Sequence, residues 1–312
     1  MTGGDVVIVT ERDDMHAAAM AAVLRRDHGI TPVRLDQRDF PADLGSFHIG
    51  TGAPARRTLG DLRLDDVRSV WWRRPHHSVV PVSAQTDDDV FRQAECDGFA
   101  QGVLWSLPAR WVNDPRAERF AVRKVVQLEA AVRAGLAVPE TLVTNDPDAA
   151  EEFIGSRPGK VIYKRTGTGR AAFSETRLFA EADRRRLSTI RAAPTTFQDY
   201  VEAEADLRVA WVAGRELTVR IDSQSGIGKV DSRLDTSVTF APFDLPGSVS
   251  VTLTTLMESL GLVFGVVDVR LGVDGEFYFL EVNTQGQFAY MEIKAGVPIF
   301  GALAGLLVNG PG

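Results

Sequence analysis

The sequence predicts an α/β protein, in part α+β, and three observations support that fold class. The chain has 312 residues, whereas single domains usually contain about 100–200, so two or three lobes are expected. It opens with an apolar strand, an alanine-rich helix and a second strand, which is the order of a parallel α/β lobe. Its last third contains four strand candidates, and two of them flank a hairpin signal.

The composition is that of an ordinary globular protein. Hydrophobic residues make up 44% of the chain, charged residues make up 25%, and the net charge is −7. An acidic chain is a poor partner for a polyanion, so no nucleic-acid ligand is expected. No apolar run reaches the roughly 20 residues that cross a bilayer, so no membrane segment is expected. One cysteine, Cys96, and the lack of a signal-peptide pattern predict a reducing, cytoplasmic location.

The first predicted domain, residues 1–114, is a small α/β lobe. Its predicted strands are residues 5–10, 32–35 and 67–72, and its predicted helices are residues 15–26 and 90–107. The sequence Asn113-Asp114-Pro115 signals a turn or the start of a helix, so the boundary is placed there. All five histidines lie in this lobe without the spacing of metal ligands, and no zinc site is predicted.

Two further lobes are predicted, a central one over residues 115–200 and a C-terminal one over residues 201–312. The central lobe contains a helix over 117–134 that ends at Gly135, and strands over 138–144, 160–164 and 196–201. The C-terminal lobe contains strands over 207–212, 215–221, 263–271 and 276–282, with a helix over 249–260. Because Asp274-Gly275 is a hairpin signal, the last two strands are predicted to be adjacent and antiparallel.

Two carboxylates and an amide on this hairpin form a predicted metal site. Asp268 and Glu281 lie on the two strands, and Asn283 follows Glu281 at the strand end. Magnesium prefers hard oxygen ligands and often shares them with substrate phosphates. The alternative is a solvated hairpin, but the flanking residues are strongly apolar, and buried carboxylates are costly without a compensating cation.

Two lysines and a glycine-containing loop suggest a site for phosphates. Lys124 lies on a predicted helix, and Lys164 ends a predicted strand that leads into Thr166-Gly167-Thr168-Gly169. Glycines let backbone N–H groups approach phosphate oxygens. The spacing of a Walker loop is absent from the chain. Taken separately, these features are more typical of surface lysines and a surface turn.

A strand followed by an acidic loop is a candidate adenine-binding edge. The segment Gln198-Asp199-Tyr200-Val201 ends the strand, and Asp206 follows it. The backbone of such an edge can pair with a base, and a nearby carboxylate can accept from ribose hydroxyls. An ordinary edge strand with an acidic loop is the alternative.

In this order the features resemble the ATP-grasp superfamily, and among its members the graspetide macrocyclases, which form ω-ester or ω-amide bonds in microviridin-type ribosomal peptides. The residues that carry the resemblance are Trp72-Arg73-Arg74-Pro75, Lys124, Tyr163-Lys164, Gln198-Asp199-Tyr200-Val201, Asp206-Leu207-Arg208, Asp231-Ser232-Arg233, Asp268-Val269-Arg270 and Glu281-Val282-Asn283 with Gly286-Gln287-Phe288. The Gly-Gln-aromatic continuation is the part most typical of the macrocyclases. Ser232 stands where many relatives have an aromatic residue, which removes the basis for a substrate contact at that position.

The resemblance implies an ATP-grasp fold with an N-terminal pre-ATP-grasp lobe, and ATP and Mg²⁺ as cofactors. It implies that Lys124 and Lys164 contact the phosphates and that Asp206 contacts the ribose. The adenine hinge would be Gln198, Asp199, Tyr200 and Val201. The Mg²⁺ ligands would be Asp268, Glu281 and Asn283. The residues that stabilise the transferred phosphoryl group or the acyl phosphate would be Arg208, Arg220 and Arg270.

The function implied is ATP-dependent crosslinking of side chains in a precursor peptide through an acyl phosphate. The peptide would carry a leader, carboxylate side chains, and Ser, Thr or Lys acceptors, and the enzyme could form a homodimer as relatives do. One alternative is a carboxylate–amine ligase that joins separate molecules, similar to the ribosomal-protein glutamate ligase. Another is a nucleotide-binding protein without turnover.

Overall fold

A computed structural model describes residues 5–79, 86–167, 176–225 and 238–310. Thr168, Gly169 and the segment Asp231-Ser232-Arg233 lie outside these ranges, and so do the predictions made for them. The chain forms two compact units, the first combining Met1–Pro115 with Ile299–Gly312 and the second comprising Arg116–Pro298. Within the described ranges, no helix is long and apolar enough to span a membrane.

The strands are β1 (Val6–Val9), β2 (Val33–Leu35), β3 (Gly45–Gly50), β4 (Ala53–Leu59), β5 (Leu62–Arg63), β6 (Ser69–Trp72), β7 (Arg110–Val112), β8 (Thr141–Thr144), β9 (Val161–Arg165), β10 (Arg177–Leu178), β11 (Thr195–Asp199), β12 (Ala203–Val212), β13 (Arg215–Ile221), β14 (Phe240–Pro242), β15 (Phe264–Gly272) and β16 (Phe277–Asn283). The α-helices are α1 (Met15–His28), α2 (Asp87–Trp105), α3 (Pro115–Ala121), α4 (Lys124–Ala134), α5 (Pro147–Gly155), α6 (Gly247–Ser259), α7 (Ala289–Ala295) and α8 (Ile299–Asn309). The mixed α/β class predicted from the sequence is confirmed.

The first unit is built on a parallel sheet with the strand order β2-β1-β6-β7. The apolar runs of β1 and β6 are buried along their whole length, as expected for parallel strands covered on both faces. A second, antiparallel sheet of β3, β4 and β5 was not predicted. Its first strand is exposed throughout, and its short alternation of Phe47 and Ile49 with polar residues is bounded by glycines, a pattern too short to predict a strand.

The C-terminal helix α8 belongs to the first unit, which differs from the predicted domain of residues 201–312. Its buried residues are Ile299, Phe300, Leu303, Ala304, Leu306 and Leu307. The helix packs against α1 and β6, and this apolar face accounts for its assignment to the first unit. The division between the two units falls after Pro115, and the organisation into three lobes stays a prediction.

The second unit contains two sheets. A four-stranded sheet has the order β10-β9-β11-β8, and a five-stranded antiparallel sheet has the order β14-β13-β12-β15-β16. Helices α4 and α6 pack together in one hydrophobic cluster with the five-stranded sheet, and this cluster includes Leu207, Val209, Val267 and Val269. The alternate residues of β12 and β15 point to the opposite face, which carries the polar site described below.

The predicted helix over residues 117–134 is divided into α3 and α4. Arg123 takes an extended conformation with φ −80° and ψ 110°, and it precedes the first residue of α4. The break places Lys124 at the start of a helix instead of within one. Gly135, with φ 90°, ends α4 in the left-handed conformation, as its position in the sequence predicted.

Candidate active site

Three charged residues stand side by side on neighbouring strands of the five-stranded sheet. Arg208 on β12 is directly opposite Asp268 on β15, which is directly opposite Glu281 on β16. Directly opposed residues of an antiparallel pair share a face, so the three side chains form one row. The predicted antiparallel pairing of the strands that carry Asp268 and Glu281 is therefore confirmed.

Hydrogen bonds link this row into a continuous chain of polar groups. Arg208 Nη1 donates to Asp268 Oδ1 over 2.5 Å. Asn283 Nδ2 donates to Asp268 Oδ2 over 3.1 Å and to Glu281 Oε1 over 3.2 Å. Lys124 Nζ lies 2.8 Å from Glu281 Oε2. A chain of contacts thus connects the three predicted metal ligands with two of the predicted cations, Arg208 and Lys124.

Lys164 lies on β9 of the neighbouring sheet and faces the same site. Its Nζ donates to Gln198 Oε1 over 3.0 Å, and Gln198 Nε2 donates to Thr141 Oγ1 over 2.7 Å. Burial lowers the pKa of Lys164 to about 8, with Glu281 and Lys124 also acting on it. Gln198 is buried, so its side chain holds Lys164 in place. The sequence predicted the lysine but not this support.

The pKa values of the two carboxylates in the row are shifted in opposite directions. Burial raises the pKa of Asp268, and the neighbouring charge of Glu281 adds to that rise, although Arg208 opposes it. Burial acts on Glu281 in the same direction, but Lys124 and Lys164 outweigh it and lower the pKa of Glu281. A positive charge placed between the two carboxylates would therefore relieve a repulsion that is built into the strand pairing.

Asp206 and Arg270 form a second, buried ion pair on the same sheet face. Arg270 Nε donates to Asp206 Oδ1 over 2.8 Å, and Ser223 Oγ donates to Asp206 Oδ2 over 2.6 Å. The Arg270 guanidinium lies 5.9 Å from the centre of the Tyr200 ring, next to the predicted adenine hinge. Both carboxylate oxygens of Asp206 already accept hydrogen bonds, so its contact with a ribose stays a prediction.

The predicted hinge is anchored by its backbone. Asp199 N donates to Glu140 O over 2.9 Å, and Tyr200 N donates to Lys160 O over 2.7 Å. Arg157 Nε lies 2.8 Å from Asp199 Oδ1. These contacts hold the segment that ends at Val201 against its own sheet, and the binding of a base there stays a prediction.

Arg220 is not brought to the site. It is directly opposite Leu207, whose side chain belongs to the core cluster under α4 and α6, so Arg220 lies on the other face of the sheet. Its guanidinium donates to Asp222 Oδ1 over 2.8 Å and to Glu204 Oε1 over 2.9 Å. This placement argues against the predicted contact of Arg220 with a transferred phosphoryl group. The sequence alone does not show which face of the sheet Arg220 occupies, because Arg208 and Arg220 lie on strands with similar residue patterns.

The segment after β16 closes one end of the site. Arg208 Nη2 donates to Gln287 O over 3.2 Å, and the Arg208 guanidinium lies 5.8 Å from the centre of the Tyr290 ring. Among the described residues, Arg208 Nε is buried without a hydrogen-bond partner, which leaves one donor for an anionic oxygen. Tyr290 was not predicted as a site residue.

The donor set fits magnesium in its chemistry. Asp268 and Glu281 supply carboxylate oxygens, Asn283 supplies an amide, and hard oxygen ligands are those that magnesium prefers. The described residues contain no group of three or more His, Cys, Asp or Glu side chains arranged for a metal. In a site of two carboxylates and one amide, substrate phosphates and water would complete the coordination of magnesium, and this ligand set stays a prediction.

Known structures resemble this chain over nearly its full length. The macrocyclase MdnC of Microcystis aeruginosa MRC, solved with precursor peptide MdnA, is 27% identical, with a TM-score of 0.86 over 97% of this chain and 99% of MdnC. MdnB from the same organism is 29% identical, with a TM-score of 0.76 over 98% and 99% of the two chains. The ATP-grasp ligase PsnB, solved with a minimal precursor, is 26% identical, with a TM-score of 0.80 over 99% of each chain.

No family model and no curated protein matches the sequence. The structural likeness, together with the row of Arg208, Asp268, Glu281 and Lys124, supports the resemblance inferred from the sequence. The chain shares its fold with the ATP-grasp ligase PsnB and is similar along its length to the macrocyclases MdnC and MdnB.

Proposed function

We propose that this protein uses ATP to crosslink side chains of a ribosomally made precursor peptide, through an acyl phosphate and with release of ADP. The observation that carries the proposal is the linked row of Arg208, Asp268, Glu281 and Lys124. Two carboxylates flanked by cations on one sheet face suit a phosphate-bound divalent cation. PsnB has been solved with a minimal precursor, Mg and ADP, which supports the same set of ligands here.

The charges around the row favour a nucleotide. Four cations, Lys124, Lys164, Arg208 and Arg270, face three carboxylates, Asp206, Asp268 and Glu281. One positive charge is in excess before any metal ion is bound. Lys124 and Lys164 would pair with phosphate oxygens, and bound magnesium would neutralise charge on the transferred phosphoryl group.

The first chemical step is attack by an Asp or Glu side chain of the peptide on the γ-phosphorus, which forms the acyl phosphate and ADP. In the second step a Ser or Thr hydroxyl, or a Lys amine, attacks the acyl carbon, and inorganic phosphate leaves. Arg208 has one unpaired buried N–H, and we assign it to the oxygens that gain charge in these steps. Because both reacting side chains lie in one peptide, ring closure benefits from a high effective concentration.

The test is a reconstituted reaction with a Thr-, Asp- and Glu-rich peptide encoded beside this protein. Incubation with the protein, ATP and Mg²⁺ should lower the peptide mass by one water per ring, for ester and amide products alike. Hydroxylamine opens esters and leaves amides intact, so it identifies the bond. An unchanged mass, with the leader present, would count against crosslinking.

Two alternative functions give different results in the same assay. A ligase that joins separate molecules would raise the peptide mass by the added amine less one water. A nucleotide-binding protein without turnover would release no phosphate with or without the peptide. Peptide-stimulated phosphate release with loss of water supports the macrocyclase alone.

We also infer that the precursor carries a leader that binds this protein, because PsnB and MdnC are complexed with precursor peptides. We also propose that the protein is cytoplasmic and that it forms a homodimer. Light scattering on the purified chain measures its mass in solution, and a monomer at micromolar concentration would contradict the dimer.

A further inference from the structure

The strand that carries Glu281 and Asn283 is an edge strand. In the order β14-β13-β12-β15-β16, β16 is the last strand among the described residues, and on its outer side Ala137 forms a single bridge to Tyr278. Outward backbone groups of an edge strand need partners when they are buried, since an unpaired buried N–H or C=O is costly. Val282 lies between the two predicted metal ligands and is buried.

The side chain of Gln127 provides both partners for Val282. Val282 N donates to Gln127 Oε1 over 2.9 Å, and Gln127 Nε2 donates to Val282 O over 2.9 Å. The same Nε2 donates to Ala121 O over 2.6 Å, at the last residue of α3. Gln127 is 3% exposed, so water does not compete for these bonds. One amide thus joins α3, α4 and β16.

The two hydrogen bonds between Gln127 and Val282, called the clasp below, fix the position of a predicted phosphate-binding residue relative to the predicted metal ligands. Gln127 lies three residues after Lys124 on α4, so the two side chains share a helix face. Lys124 contacts Glu281, and Gln127 contacts the next residue of the strand. A shift of α4 along β16 would separate Lys124 from Glu281 and would change the spacing of Glu281 and Asn283.

We propose that Gln127 is a positioning residue of the active site, which sets the geometry of the metal ligands and of Lys124 by bonding the backbone of Val282. The inference rests on the proposed function, because it assigns the clasp to the metal and nucleotide site. Residues that support metal ligands without contacting the metal typically change metal affinity or activity about 10- to 100-fold when they are replaced. A purely structural residue would change stability without changing metal affinity.

The experiment compares two variants that each remove a side-chain hydrogen bond between a helix and this sheet, buried at Gln127 and partly buried at Thr254. Gln127→Met keeps the length of the side chain and removes the clasp. Thr254→Val is the matched control, because Trp211 Nε1 on β12 donates to Thr254 Oγ1 on α6 over 3.3 Å, in the core on the opposite face from the site. Binding of Mn²⁺ in the presence of a non-hydrolysable ATP analogue is measured by electron paramagnetic resonance. Melting temperatures are measured in parallel.

Gln127→Met should weaken Mn²⁺ binding about 10-fold or more, and Thr254→Val should leave it unchanged. In steady-state assays Gln127→Met should raise the Mg²⁺ concentration for half-maximal turnover, and added Mg²⁺ should restore part of the rate. Wild-type Mn²⁺ affinity in folded Gln127→Met protein would overturn the proposal, whatever its melting temperature.

A second measurement covers the case in which Gln127→Met does not fold. In the wild-type protein the Val282 amide should exchange its hydrogen slowly, because it donates to a buried side chain. Rapid exchange of Val282 relative to its neighbours in β16 would show that the clasp does not form and would refute the inference. If the wild-type protein itself binds neither Mn²⁺ nor the ATP analogue, the proposed function fails instead, and the exchange result distinguishes the two failures.

Discussion

Asp268 and Glu281 are directly opposite each other on adjacent strands, a position at which two carboxylates repel. The amide of Asn283 bridges them, and Arg208 and Lys124 contact their outer oxygens. These cations offset part of the repulsion, and a metal ion bound between the two carboxylates would offset it further. The repulsion therefore supports a metal-binding role for residues that a stable hairpin alone would not require.

Replacement of one of these carboxylates tests that role. Asp268→Asn keeps the shape of the side chain and removes its charge, so ADP formation with peptide should fall about 100-fold or more, as expected when preorganised charge is lost. Lys164→Ala should have an effect of the same order, since it removes a phosphate partner. ADP is measured by a coupled assay, with Thr254→Val as a control for folding. Full activity in either site variant would refute the assignment.

The segment after β16 packs so closely against β15 that its position is fixed. A Cβ atom added at Gly286 would lie 2.6 Å from Val266 Cβ on β15, closer than side chains allow. Because Val266 is branched at Cβ and fully buried, it cannot turn away. The same segment supplies the Gln287 carbonyl that accepts from Arg208. The Gly-Gln-aromatic sequence thus has a physical reason at its first position.

Gly286→Ala should therefore displace this segment, lower stability by about 1–3 kcal/mol and reduce turnover. Gly155→Ala is the control, because no atom lies within 4 Å of its added Cβ. Differential scanning calorimetry and the ADP assay are the measurements. A Gly286→Ala protein with wild-type stability and turnover would show that the close approach has no consequence.

Helix α1 carries a buried histidine that makes the first unit sensitive to acid. Burial lowers the pKa of His16 from 6.5 to about 4, with Arg73 adding to the effect and Asp14 opposing it. Between these two values the unfolded chain binds a proton that the folded chain does not, so stability rises with pH across the window and is lost as pH falls.

Acidification from pH 6.5 to pH 4 should thus lower the melting temperature of the first unit, and His16→Asn should reduce this dependence. His28→Asn, at the last residue of the same helix, should retain the wild-type profile. Thermal melts followed by circular dichroism at several pH values provide the measurement. Parallel profiles for the wild-type and His16→Asn proteins would contradict the prediction.

At the scale of the whole molecule, the end of the chain returns to the unit in which the chain begins. Helix α8 packs against α1, and Leu303 is fully buried in that unit. The predicted nucleotide and metal residues lie in the other unit, Arg116–Pro298. The stability of the first unit and the intrinsic nucleotide affinity of the second are therefore separable in principle.

Leu303→Ala should destabilise the first unit by about 2–5 kcal/mol, because it opens a cavity in a buried helix face. Binding of an ATP analogue, measured by calorimetry well below the melting temperature, should be unchanged. Gly305→Ala on the same helix, with no atom within 4 Å of the added Cβ, is the control. Loss of nucleotide affinity in Leu303→Ala protein that is still folded would show that the two units are coupled.

Sequence by itself determined the features that depend on neighbouring residues. The apolar runs of β1 and β6, the Asp-Gly turn between β15 and β16 and the left-handed Gly135 all follow from local chemistry, and each was predicted. The turn sets the register as far as Val269 opposite Phe279, but the pairing of Asp268 with Glu281 depends on a one-residue bulge in β16 that the sequence did not predict.

Only the tertiary structure decided which side chains meet across the site. It placed Arg208 and Arg220 on opposite faces of one sheet, since a strand turns successive side chains to alternate faces and the register sets which residue each one opposes. It also divided the helix before Lys124 and brought Gln127 to Val282, a contact between residues 155 positions apart. Such contacts depend on packing between distant segments, which no local pattern in this chain specifies.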